Sequence, residues 1–205
     1  MKNMKIGVLD YSAGNVASVL AALQKAEAMP ALVSTLSEIN ECDSLVIPGM
    51  GSFAYAMSRI SVLRDGLASF AESGKPILGI CLGMQVLFEE GIEGGRTPGF
   101  GLIRGRVDLL EAKKLPHIGW NTLQSKHFSQ LLEGIPEKAF FYFAHSYACR
   151  PAMQSNLVAE TIYENKFASV VEEKNVFGVQ FHPDKSGEWG LRLLKNFVEV
   201  TKECK

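Results

Sequence analysis

In the first half of the chain, short unbroken apolar runs alternate with segments whose apolar positions fall at helical spacing. Residues 5–9 (KIGVL) are one such run. After the turn 10–15 (DYSAGN), Val16, Val19, Leu20 and Leu23 recur every three or four positions, so strand, loop and helix are predicted in that order. Residues 30–34 predict a second strand, 37–41 a short helix, and 44–47 (SLVI) a third strand closed by Pro48-Gly49. A helix over about 62–72 stops at Ser73-Gly74-Lys75-Pro76, before the apolar run 76–81 (PILGIC) and another helix near 84–89. This alternation predicts a doubly wound, largely parallel sheet.

Beyond Glu90 the pattern changes. Gly91, Gly94, Gly95, Gly99, Gly101 and Gly105 punctuate a loop-rich stretch. Apolar or period-2 runs then predict strands at 106–110, 120–124, 139–143, 157–163, 168–172 and 176–181, partly antiparallel because their connections are short. A helix from 187 to about 203 closes the chain. No repeat, low-complexity tract or linker interrupts it. The expectation is one α/β domain over 1–205: an open mixed sheet with a mostly parallel core, helices on both faces and a strand-rich second half.

Composition narrows the function. Lys and Arg number 21 against 22 Asp and Glu, so the basic excess of a nucleic-acid binder is missing and no nucleic-acid partner is expected. No uncharged apolar stretch approaches the ~20 residues a bilayer requires, so no membrane partner is expected and the protein should be soluble. The run Ile6 to Leu9 is cut off by Asp10, too short for a signal-peptide core, and a cytoplasmic location is expected. Cys42, Cys81, Cys149 and Cys204 lie far apart without a C-x-x-C, and no two of His117, His127, His145 and His182 have i, i+4 spacing. Neither a zinc site nor a redox pair is therefore expected.

One cysteine stands apart. Gly79-Ile80-Cys81-Leu82-Gly83 lies where a buried strand meets a helix, the G-x-nucleophile-x-G elbow with Cys in place of Ser. Flanking glycines remove side chains that would collide as the turn closes, and the N-terminal N–H groups of the next helix favour a thiolate. The Leu82 N–H can face a developing oxyanion, and a peptide of the loop Pro48-Gly49-Met50-Gly51-Ser52-Phe53, at Met50 or Gly51, can add a second donor. A base is expected in His182, which directly follows the predicted strand 176–181. In His182-Pro183-Asp184 the proline stiffens the turn and sets a carboxylate where it can fix the imidazole's tautomer and orientation. For His117 and His145, an imidazole hydrogen-bonded in a partly buried site is the plainer explanation.

The elbow GICLGMQ, the loop PGMGSF and the segment FHPDKS together resemble the class I, triad-type glutamine amidotransferases over essentially the whole chain. The resemblance implies their open α/β fold and a glutaminase without cofactor or metal. Cys81 then attacks the side-chain amide of L-glutamine, His182 passes the proton to departing ammonia, Asp184 completes the triad, and water hydrolyses the thioester. It further implies that Gln85 and Glu93 hold the substrate's α-amino and α-carboxylate groups and that His145-Ser146-Tyr147 lines the same pocket. Met84 and the segments LPHIGWN (115–121) and YFAHSY (142–147) are most similar to the branch serving histidine biosynthesis. That branch implies a heterodimer with a (β/α)8 cyclase subunit that receives the ammonia, with Trp120 and Tyr142 at or near the interface. Two positions depart from the family pattern: Asp184 replaces Glu, and Met50 stands where most relatives have Val. On sequence alone, a paralogue serving another synthase, such as one aminating a surface sugar, and a catalytically silent scaffold both stay open.

Overall fold

The computed structural model describes residues 4–12 and 15–204, so the Ala13-Gly14 part of the predicted first turn lies outside the described residues. The first half alternates strand and helix, with one helix more than expected: β1 (Lys5–Leu9), α1 (Val16–Lys25), β2 (Met29–Val33), α2 (Leu36–Asn40), β3 (Ser44–Ile47), α3 (Phe53–Ile60), α4 (Arg64–Glu72), β4 (Ile77–Ile80) and α5 (Leu82–Val86). The second half carries β5 (Phe88–Gly91), β6 (Thr97–Pro98), β7 (Ile103–Leu109), β8 (His117–Thr122), β9 (Gln124–Ser125), β10 (Phe140–His145), β11 (Tyr147–Pro151), β12 (Leu157–Tyr163), β13 (Asn165–Glu173), β14 (Val176–Val179) and α6 (Gly187–Glu203).

The main sheet runs β2-β1-β3-β4-β14-β13-β12-β9. Its first five strands are parallel and the remaining three pair antiparallel, giving the expected mixed sheet. Alternate side chains of each strand go to opposite faces. Val46, Leu78 and Ile80 pack with α1 and α6 through Val19, Leu23, Leu193 and Phe197. Leu45, Ile47 and Ile77 pack with α3 and α4 through Phe53, Met57, Leu67 and Phe70. Both faces are thus covered, as parallel strands require. Among the described residues no helix is long and apolar enough to cross a membrane.

The structure corrects the sequence reading in three places. Helix α3 was not expected, yet Phe53, Ala56, Met57 and Ile60 are buried at helical spacing behind the N-cap Ser52, whose hydroxyl accepts from the Tyr55 N–H. The helix expected near 84–89 starts earlier and stops at Val86. The carbonyls of Val86, Leu87 and Phe88 instead accept from the N–H groups of Phe100, Leu102 and Gly101, which turns the chain into β5. Third, the second half does not only extend the main sheet. It also builds two small sheets, β10-β8 and β11-β7-β5-β6. The run expected as one strand over 120–124 is divided accordingly, Thr122 pairing with β10 and Gln124 with β12.

Candidate active site

Strands β4 and β14 are adjacent, parallel and in register, with Ile80 opposite Val179, and the Cys81 N–H continues the ladder to the Val179 carbonyl at 2.8 Å. Cys81 and the segment ending in His182 therefore leave the same end of neighbouring strands, the carboxyl end where α/β sheets form their sites. Cys81 itself has φ 55° and ψ −110°, a backbone conformation strained for any residue with a Cβ. The flanking glycines make that turn possible. A Cβ on Gly83 would lie 1.7 Å from the Ile47 carbonyl oxygen, and one on Gly79 2.4 Å from that of Gly83.

A cavity of about 300 Å³ opens at this point. Every residue proposed from sequence for catalysis, oxyanion binding or glutamine binding lines it except Asp184: Cys81 and His182, Met50, Gly51 and Leu82, Gln85 and Glu93, and His145-Ser146-Tyr147. The loop from Pro48 is pinned at its start, where the Tyr11 hydroxyl donates to the Pro48 carbonyl at 2.7 Å, and Gly51 adopts φ 98°. Glu93 is not a free loop carboxylate, since it accepts from the Phe53 N–H at the start of α3, at 2.7 Å. The Gln85 amide donates to the Tyr147 carbonyl at 3.0 Å and to Gln180 Oε1 at 3.2 Å.

The thiol of Cys81 donates weakly toward the Ala144 carbonyl at 3.9 Å and accepts from Gln180 Nε2 at 3.6 Å. Burial pushes it up to about 11, against the Leu82 N–H, the Gln180 amide and the Lys185 charge, all of which favour the thiolate. Burial also lowers His182 below the ordinary histidine value; Asp184 pulls it up and Lys185 pushes it further down. Near neutral pH the resting site thus holds a neutral thiol beside a neutral imidazole. His145 donates from Nδ1 to the Tyr147 carbonyl at 2.9 Å, and its Nε2 meets His117 Nδ1 at 3.1 Å. Burial lowers these two imidazoles to about 3 and about 4, and His117 lies stacked against Phe143 and Tyr163. Both are hydrogen-bonded as expected, but they are buried rather than partly buried.

Asp184 departs from expectation. Its Oδ1 faces His182 Nδ1 across 3.9 Å, too far for a hydrogen bond, and is buried with no hydrogen-bond partner among the described residues. One methylene shorter than Glu, the side chain falls short of the ring. Its Oδ2 accepts instead from the Ser18 hydroxyl on α1 at 2.6 Å. Ser18 was missed in the sequence because it stands 166 positions from its partner. Gln180 was missed too, although a lone polar residue at the end of an apolar strand, two positions before the candidate base His182, is a readable signal.

Trp120 and Tyr142 are opposed across β8 and β10, their rings edge to face at 5.9 Å. Tyr142 is half-buried, 6.4 Å from the His182 ring, while Trp120 is exposed. Ile118 and Phe140 belong to the same outward face and are also exposed, so an apolar patch borders the cavity.

The family model described as Glutamine amidotransferase class-I matches residues 7–200. The "Imidazole glycerol phosphate synthase subunit HisH" of Desulfitobacterium hafniense (strain DSM 10664 / DCB-2) is 46% identical over 201 residues, covering 97% of this chain and 95% of that protein. Proteins of the same name from Methanocaldococcus jannaschii and Methanosarcina mazei are 40% identical over 196 residues and 44% identical over 199. Those alignments cover 95% and 96% of this chain and 99% and 98% of the relatives. Among solved structures, a glutamine amidotransferase superposes with a TM-score of 0.77 at 18% identity, covering 96% of this chain and 98% of that one. A chain of PurLQS from Thermotoga maritima gives 0.76 at 22% identity, covering 97% and 99%. These two likenesses concern the fold alone.

Proposed function

The chain belongs to the class-I glutamine amidotransferases, and we propose that within this family it works as the glutaminase subunit of an imidazole glycerol phosphate synthase, in histidine biosynthesis. The relatives named above all carry that synthase's name, which favours it over the sugar-aminating alternative left open by the sequence. The observation that carries the chemistry is the strained Cys81 at the start of α5, held in ladder register with the strand that delivers His182 to the same cavity.

In this reading glutamine enters the cavity with its α-amino and α-carboxylate groups toward Gln85, Glu93 and Tyr147. Cys81 gives its proton to His182 and its sulfur attacks the amide carbon. Charge develops on the amide oxygen, where the Leu82 N–H and a peptide N–H of the Met50-Gly51 turn can stabilise it. The tetrahedral intermediate collapses, the C–N bond breaks, and His182 returns the proton to the departing nitrogen, which leaves as ammonia. Water activated by His182 then hydrolyses the γ-glutamyl thioester, releasing glutamate and restoring the thiol. Asp184 stabilises the imidazolium formed in both halves of the cycle.

Ammonia is largely protonated in neutral water and is then no nucleophile, so the product needs a sheltered route to an acceptor. A heterodimer with a cyclase subunit, seated on the exposed face of Ile118, Trp120 and Phe140 beside Tyr142, supplies one. The setting is cytoplasmic. The test is glutamate release by the purified complex, alongside Cys81→Ala and mass-spectrometric mapping of a diazo-ketone glutamine analogue. Loss of activity in the variant and labelling of Cys81 alone are expected. Turnover surviving Cys81→Ala would overturn the assignment.

A further inference from the structure

We propose that Ser18 is a positioning residue of the catalytic machinery, holding the short Asp184 carboxylate so that its free oxygen faces His182. The inference rests on the assignment of Cys81 and His182 above and extends it. The Asp184 side chain is 1% exposed, so water does not set its orientation. Its single hydrogen bond among the described residues comes from the Ser18 hydroxyl at 2.6 Å, and its other oxygen, unpaired, lies 3.9 Å from His182 Nδ1. A buried carboxylate with neither oxygen hydrogen-bonded can turn about its Cα–Cβ and Cβ–Cγ bonds, so the bond that holds Oδ2 sets where Oδ1 points. The tie comes from another element. Ser18 lies on α1, which packs against the turn 183–185 and against α6.

The need for such a tie follows from the reaction. When His182 takes the thiol proton, its Nδ1–H becomes a charged donor in a buried setting, and an acceptor already aimed at it lowers the cost of that charge. A Glu at 184 would reach the ring through its extra methylene. With Asp, the distance must close by a small movement of the ring or turn, and a fixed carboxylate makes that movement productive.

The experiment uses the chain in complex with its cyclase, at saturating cyclase, and reads glutamate release. Ser18→Ala should lower kcat about 10- to 100-fold while the KM for glutamine stays within about twofold, since the contact does not touch substrate. Ser18→Thr, which keeps the hydroxyl, should recover most of the loss. In an Asp184→Glu background, Ser18→Ala should cost less than about threefold, because the longer carboxylate bonds to the imidazole directly. Unchanged turnover in Ser18→Ala overturns the proposal. So does an equal loss in both backgrounds, which would mean that Ser18 acts through the fold of α1 rather than through the carboxylate. The Cys81→Ala control separates the two levels. Activity that survives it removes the triad assignment as well, whereas activity that depends on Cys81 but not on Ser18 removes this inference alone.

Discussion

A thiol held near 11 by burial carries almost no nucleophilic thiolate at neutral pH, and Cys81 is in that condition until something shifts its balance. In the isolated subunit without glutamine, its alkylation by iodoacetamide should therefore climb about tenfold per pH unit from neutrality toward pH 11, followed by mass spectrometry of the Cys81 peptide. A plateau reached by pH 8 would show a thiolate already formed. The nucleophile and base proposed above were readable as candidates because each sits in a short local pattern, GICLG and FHPD. The candidate oxyanion and glutamine-binding residues came with the same motifs and line the same cavity, whereas the contacts of Ser18 and Gln180 were not readable. Ser18 reaches Asp184, and Gln180 reaches both Cys81 and Gln85, through the folded chain, and no local spacing encodes either contact. The motif also suggested a carboxylate that fixes the imidazole; only geometry reveals that the shorter side chain stops at 3.9 Å and leans on a serine.

Turns and helices around the nucleophile depend on close backbone approach more than on side-chain packing. Gly83 is the clearest case, because the atom a Cβ would strike is the Ile47 carbonyl oxygen at 1.7 Å, which cannot move without pushing β3 away from α5. Gly83→Ala should lower the melting temperature by about 2–12 °C, the effect of about 1–3 kcal/mol of overpacking in a chain of this size, and should abolish glutaminase turnover. Thermal denaturation followed by circular dichroism checks the first and glutamate release the second; a variant with wild-type melting would contradict the contact. Helix α3 illustrates a signal that was present and overlooked, since Ser52 followed by Phe53, Ala56, Met57 and Ile60 is a cap with a helical stripe. The end of α5 carried no such signal. It is set by N–H groups of residues 100–102, a tertiary interaction that overrides the helical pattern continuing past Val86.

The doubly wound half was legible because its strands and helices alternate along the chain in the order in which they stack. The strand-rich half was legible only as strands, because its distribution among three sheets depends on pairings between distant segments, such as Tyr147 with Leu109. One product of that distribution is the small β8-β10 sheet, whose inner face is buried and whose outer face keeps Ile118, Trp120 and Phe140 exposed. A large aromatic at the middle of such a face is a natural anchor. Trp120→Ala should weaken the proposed complex with a cyclase subunit by about 2 kcal/mol, roughly 30-fold in Kd by titration calorimetry, without altering the melting temperature of the free subunit. Unchanged affinity would place the interface elsewhere. The position of β14 has a different consequence, for the chain during its synthesis. It is wedged between β4 and β13, yet a ribosome makes it about a hundred residues after β4, a delay of roughly 5–20 s. Through that interval the β4 edge that β14 later covers is open, and His182, proposed above as the base, has not yet been made. On that assignment a nascent chain cannot consume glutamine, and turnover waits until the last-made strand of the main sheet is in place.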